Sequence, residues 1–356
     1  MMPMNREELL ESARYAIAVS DESFAGLSLR EADLSATTFD HVDFSGCDFA
    51  RADLTEASFH QCRFEGATFE GAMLKSAIFN ECDARQCEFG HADLGLSIWQ
   101  TCDLSGSRIE SCNLTHAAIK DSVLEQAGFA NITTDHGVFH QCELSGAAFR
   151  NTQFSQLIFF KEDLASCVFE DVQFEKTVFL ECSLHELAFA RVPFVMCQFI
   201  DSRLAAIDLT GCDLTQSSFK GCDLTGARLA SVHGAGVLFP EATLDQAVLT
   251  DARLESSLWV ACQAAGADFC GARLKQAVFH RARLPDARFD GCDLEYADYA
   301  YADIRGATFR RADFSRTKFH RAQTDPNQLP RQSGILMSDP ALYEAEAFTA
   351  RAGGQI

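Results

Sequence analysis

Basic residues are scarce in this chain. Of its 356 residues only 30 are Lys or Arg, against 51 Asp or Glu, which leaves a net charge of −21. That balance argues against a general DNA or RNA binder, whose affinity comes from cations neutralising phosphates, and an acidic surface repels anionic membranes as well. No direct nucleic-acid or membrane contact is expected. No apolar run approaches the ~18 residues of a membrane span. Residues 1–20 carry Glu7, Glu8 and Glu11 and no apolar stretch of signal-peptide length, so Sec export is not expected. The expectation is a soluble protein of the reducing cytosol, with export by a signal-independent secretion system left open.

Catalytic motifs are also missing. Gly234-Ala235-Gly236 lacks the third glycine and the strand–helix context of a dinucleotide site, and neither a Walker A pattern nor H-E-x-x-H occurs. Neither a cofactor nor a metal is expected, and an enzyme would need a site built by a loop. Pro is sparse at 7, whereas Cys at 15 and Phe at 30 are abundant, and 47% of the residues are hydrophobic. Wholesale disorder is therefore not expected.

The abundant residues are ordered by a repeat of five. A large apolar side chain recurs at every fifth position from Phe24, Leu29, Leu34 and Phe39 to Phe319, and in that frame only Ala84, Thr134, Gly234 and Ala264 fail to supply one. Two residues earlier stands a small or β-branched residue such as Cys47, Ala52, Ala57 or Cys62, and the residue between is often Asp. Ala52-Asp53-Leu54, Cys212-Asp213-Leu214 and Ala312-Asp313-Phe314 display the unit.

This unit resembles the A(D/N)Lxx repeat of the pentapeptide-repeat family, and the resemblance runs over residues 22–322. A hexapeptide left-handed helix would need a period of six and is excluded. The resemblance implies an all-β solenoid, a right-handed quadrilateral β-helix of about fifteen coils with short terminal helices. Each pentapeptide would form one side, residues twenty apart would stack at ~4.8 Å, and the rod would be roughly 70 Å long. The central residue and the small one two before it would face inward. The expected division is a capping helix in residues 1–20, the β-helix in 21–323, and a linker with a C-terminal helix in 324–356.

In that frame fourteen of the fifteen cysteines, all but Cys270, take the small interior position and read as buried, reduced thiols. One side carries an aromatic column, Phe39, Phe59, Phe79, Trp99 and onward through Trp259 to Phe319, which reads as core. All ten histidines fall at outward positions.

Outward positions beside the aromatic column are unexpectedly apolar. Ile78, Ile98, Val138, Ile158, Val178, Leu238, Leu258 and Val278 precede it, and Phe160, Leu180, Ile200 and Val260 follow it. Such a stripe is larger than monomers usually expose, so it is a candidate surface for a protein partner or for a homodimer. It could instead reflect β propensity or lie under a terminal helix. The flanking sides carry acids, among them Asp43, Asp83, Asp103, Asp163 and Asp223. Residues 21–270 hold 37 acids and 15 bases, whereas 271–323 hold 11 bases and 7 acids, so the rod is polar in charge.

At the ends, Asn5 with Glu8 reads as a capping box before a helix over 6–18, with Leu9, Leu10, Ala13, Ala16 and Ile17 on its apolar face. Asp339-Pro340 opens a last helix ending near Gly353, whose Leu342, Ala345 and Phe348 could seal the rod or join a second subunit. Thr133–Gly137 and Val232–Gly236 read as bulged loops. The resemblance and these surfaces together suggest a non-catalytic scaffold or adaptor, of the kind that serves bacterial secretion or effector systems in some long family members. The alternative is a DNA mimic similar to the quinolone-resistance members that bind DNA gyrase, acting as an inhibitor or protector of the topoisomerase.

Overall fold

A computed structural model of the chain describes residues 4–329 and 334–352. It divides into two compact units, Met1–Leu184 and His185–Ile356, and both are parallel β-solenoids with a twenty-residue coil. Most corners share one chemistry, and the corner between residues 143–146 and 163–166 departs from it, with the Gly146 amide on the Ser166 hydroxyl at 3.3 Å. Two residues after nearly every central side chain, Leu164 excepted, the backbone turns left-handed, as at Glu31, Ala36, His41 and Arg51 with φ between 51° and 58°. The amide of a central residue typically bonds to the next coil, Phe24 to the Asp43 carbonyl and Phe44 to that of Arg63, both at 2.7 Å.

In the first unit, helix α1 (Arg6–Arg14) starts as expected: Asn5 accepts from the Glu7 and Glu8 amides while the Glu8 carboxylate takes the Asn5 amide. It stops earlier than the apolar pattern suggests. Ala16 is left-handed at φ 52°, and Val19–Ser20 pairs with Phe39–Asp40, so the chain must already be extended there. Leu9 and Ala13 are buried, but Ile17 is 56% exposed and Ala16 also faces solvent. Three-residue strands at Thr38–Asp40, Ser58–His60, Ile78–Asn80 and Ile98–Gln100 then pair in exact twenty-residue register. Inside them the rings stack, Phe39 on Phe59 at 5.0 Å, Phe59 on Phe79 at 4.7 Å and Phe79 on Trp99 at 3.7 Å.

The second unit repeats this core, with Phe199 stacked on Phe219, Phe239 on Trp259 and Phe279 on Tyr299 at 4.7, 4.3 and 4.6 Å. After the last coils the chain returns as a short strand, Ile335–Leu336, against Thr317–Lys318. Gly334 permits this return: its φ is 101°, and a Cβ there would lie 2.2 Å from the Phe314 carbonyl oxygen. Helix α2 (Pro340–Ala352) begins where Asp339 caps the amides of Ala341 and Leu342. The expected end near Gly353 lies outside the described residues. Phe348 does not seal anything within its own unit, being 75% exposed.

Neither expected bulge forms. Thr133–Asp135 is a strand paired with Gln153–Ser155, and Thr134 is buried with its hydroxyl on the Gln153 carbonyl at 3.4 Å. At Gly234 the neighbours Leu254 and Val237 close over the missing side chain, so the corner keeps its ordinary bond to the Arg253 carbonyl at 2.8 Å.

All fifteen cysteines are free thiols; fourteen are buried and Cys270 is half-buried. Their placement has a hydrogen-bonding logic that Ala cannot supply. Interior Cys47, Cys87 and Cys112 donate to the carbonyls of Phe24, Phe64 and Phe89 at 2.9, 3.0 and 2.7 Å. Ser107 and Ser217 make the same contact to Ala84 and Phe194. Cysteine is thus a compact apolar residue that still satisfies a buried backbone acceptor.

Candidate interaction surface

A strand residue on either side of an interior aromatic must point outward, because successive side chains alternate across the backbone. The apolar candidates obey this rule. In the first unit Ile78, Ile98 and Ile158 are 42%, 36% and 37% exposed, and Val138, Phe160, Val178 and Leu180 are half-buried against neighbours one coil away. Within the second unit Leu258 and Val260 are each 37% exposed, while Ile200, Leu238 and Val278 are half-buried.

The ladder itself does not require these side chains. Thr38, Ser58 and Ser218 occupy the corresponding position in strands of the same length, and Leu238, Leu258 and Val278 sit at single bridges and not in extended strands. Phe160 is more constrained than its neighbours, for its ring lies flat on His140 at 4.9 Å with the Lys161 ammonium 5.1 Å from its centroid.

The acidic candidates have a local occupation. Asp43 accepts the Ser45 amide at 3.0 Å and its hydroxyl at 2.6 Å. Asp103 takes Ser105, Asp163 the amide of Ala165, and Asp223 that of Thr225 in the same way. Asp83 likewise accepts the Arg85 amide, at 3.3 Å, and in addition binds the Arg85 guanidinium at 2.7 Å, which holds the carboxyl below its usual range. Burial pushes the Asp43 carboxyl up, but the Ser45 hydroxyl and amide outweigh it and leave the group lowered. One oxygen of each such Asp closes its own turn, so these columns are in part turn chemistry.

Two ionisable residues, His320 and Glu162, are buried where the pattern of outward polar and inward neutral side chains does not expect an ionisable group. His320 is expected outside, yet helix α2 covers it completely: its Nε2 lies 3.2 Å from Glu346, its Nδ1 accepts the Asp339 amide at 3.0 Å, and Tyr343 packs edge-on at 4.5 Å. The repeat carries no sign of this, because the cover comes from outside the repeat. Glu162 is the reverse case, a carboxyl at an interior position that the five-residue frame does identify and that composition alone hides. Among the described residues no cluster of three or more metal-ligating side chains forms, and no helix is long and apolar enough to cross a membrane.

The repeat is also found by comparison. A sequence profile described as a pentapeptide repeat region matches residues 52–129, and one described as pentapeptide repeats, eight copies, matches 28–66, 197–232, 261–295 and 287–323. Among solved structures, the chain is similar to HetL, a pentapeptide repeat protein involved in heterocyst differentiation regulation from the cyanobacterium Nostoc sp. strain PCC 7120. Identity is 18% over 86% of this chain and 97% of that one, with a TM-score of 0.31. It is also similar to a trypsin-treated form of QnrB1, a plasmid-mediated fluoroquinolone resistance protein, at 15% identity over 94% and 98% of the two chains and a TM-score of 0.22. A pentapeptide repeat protein from the cyanobacterium Cyanothece 51142 matches at 20% identity over 42% of this chain and 90% of its own, with a TM-score of 0.21. No curated protein sequence matches the chain.

Proposed function

We propose a binding function and not a catalytic one for this chain, which belongs to the pentapeptide repeat family. It is a scaffold or adaptor that presents its apolar outward columns to a protein partner. The observation that carries this reading is the exposure of Ile78, Ile98 and Ile158 at positions where Thr38 and Ser58 serve the same ladder. Side chains that fold does not demand and water does not favour are accounted for by a surface that is covered in use. Mutually supporting coils suit such a role, since their backbone is fixed by hydrogen bonds to neighbours and little ordering cost remains on association. The test is capture of partners from the native host, comparing the parent with a variant polar at the apolar columns. Loss of a specific partner supports the reading, and an unchanged set of partners refutes it.

A second reading, mimicry of DNA toward a gyrase-type topoisomerase, is favoured by one observation, the excess of 37 acids over 15 bases in residues 21–270. Mimicry requires the acids themselves to be read, and their engagement in local turns weighs against it. Inhibition of gyrase supercoiling that fades as salt screens the charges would support mimicry. No inhibition at micromolar protein would remove it.

A further inference from the structure

From residue 27 to residue 322 the interior small site of the solenoid holds Ala, Cys, Ser, Thr or another neutral residue, and Glu162 alone breaks the series; Glu22, at the entry to the first coil, is only half-buried. The Glu162 side chain is 1% exposed. The Cys142 amide lies 3.1 and 3.0 Å from its two carboxyl oxygens, so it can donate to whichever of them carries no proton. At three other corners the same amide position is served by a neutral hydroxyl from the next coil, as where Cys102 donates to Ser122 at 3.0 Å and Cys197 to Ser217 at 2.9 Å. Glu162 therefore performs a neutral residue's task with an ionisable group.

We propose that Glu162 is a proton-dependent latch inside the first unit, which holds the Cys142 corner closed while its carboxyl is neutral and releases it on ionisation. The groups facing it leave an anion without compensation. Cys142 and Cys182 precede and follow it in its own column, and Cys167 belongs to the adjoining side; all three are thiols whose own ionisation burial suppresses, with pKa values pushed up to about 12. The next residue, Asp163, is acidic, and so is Asp121, which also bears on Cys142. The neighbouring cation, Lys161, faces outward and lies 3.9 Å from Glu181. Burial is the leading cause that drives the Glu162 carboxyl up to about 8, against the opposing pull of the Cys142 and Gln141 amides.

The sign follows. In the opened corner the carboxyl ionises from its ordinary 4.5 upward, whereas in the closed corner it keeps its proton to about 8. Closure is therefore strongest below about pH 4.5, weakens as pH rises toward 8, and changes no further above that. This inference is independent of the proposed binding role.

The experiment is hydrogen exchange of the full chain, read at the Cys142 amide in the parent and in Glu162→Gln, whose amide oxygen accepts the same bond but cannot ionise. The ratio of protection, variant over parent, should be near one at pH 4.5, increase by up to about tenfold per pH unit, and level off near pH 8. If Glu162→Gln does not fold, Glu162→Cys, the residue of both column neighbours, replaces it. Infrared difference spectra, parent minus variant, should show a protonated carboxyl at pH 7. A protection ratio that stays constant from pH 5 to 9, or an ionised carboxylate in the infrared spectrum at pH 7, overturns the proposal.

Discussion

The indole N–H of Trp259 donates to the hydroxyl of Ser257 at 2.7 Å, and both side chains are completely buried. The same pair recurs at Trp99 and Ser97, at 3.1 Å. In a column of phenylalanines a tryptophan introduces one polar atom that water cannot reach, and the small interior position two residues earlier supplies its acceptor. Ser257→Ala strands that donor and should cost about 1–3 kcal/mol. Adding Trp259→Phe removes the donor, so the double variant should lose less than the sum of the two single changes. Denaturant unfolding of the four proteins in a double-mutant cycle checks this, and additive losses would contradict it.

Tyr299 continues the same column without such a partner. Its ring lies between Phe279 and Phe319, its hydroxyl is buried, and no hydrogen-bond partner reaches it. Tyr299→Phe keeps the stack and removes an unsatisfied polar group, and should stabilise the second unit by about 1 kcal/mol or more. A melting temperature unchanged or lowered in the variant would show that the hydroxyl is satisfied in solution.

The thiols should be inert while the protein is folded. Burial raises the ionisation of Cys87, Cys112 and Cys142 to about 12, so thiolate is negligible at pH 8. Half-buried Cys270 is raised less, to about 11, with burial again the leading cause and Asp268 adding to it. A thiol-reactive dye should label at most this one site in the native state and all 15 cysteines after denaturation. Rapid native labelling of several cysteines would contradict the interior placement.

The five-residue frame made most of the fold legible, because two side chains in five are forced inward and the register of the ladder is a whole number of repeats. The capping box at Asn5 and Glu8 was equally legible, since both partners lie within one helical turn. Features imposed by distant partners were not. The helix stops at Arg14 because Val19 pairs with Phe39, and His320 is buried because α2 folds over it. Thr134 and Gly234 suggested loops only because a missing large side chain looks like a defect in one dimension; in three, Thr134 is absorbed by a hydroxyl contact and Gly234 by the leucine of the next coil. Glu162 was visible in the frame, but its consequence needed the geometry of the Cys142 amide. Of the candidate surface, the outward direction of Ile78, Ile98 and Ile158 was readable from alternation, and the His140–Phe160–Lys161 stack was not.

The central claim is that the apolar columns serve binding and not folding, and the most direct measurement of it changes Ile158, Phe160, Val178 and Leu180 together to Ser. Surface positions of this kind usually cost within ~0.5 kcal/mol each, whereas loss of a central interface anchor costs ~2 kcal/mol or more of binding. Melting temperature and affinity for the captured partner are measured on the same protein. The variant should fold with a nearly unchanged melting temperature, and its partner affinity should fall at least about thirtyfold. A variant that unfolds, or one that folds and binds as the parent does, would contradict the claim.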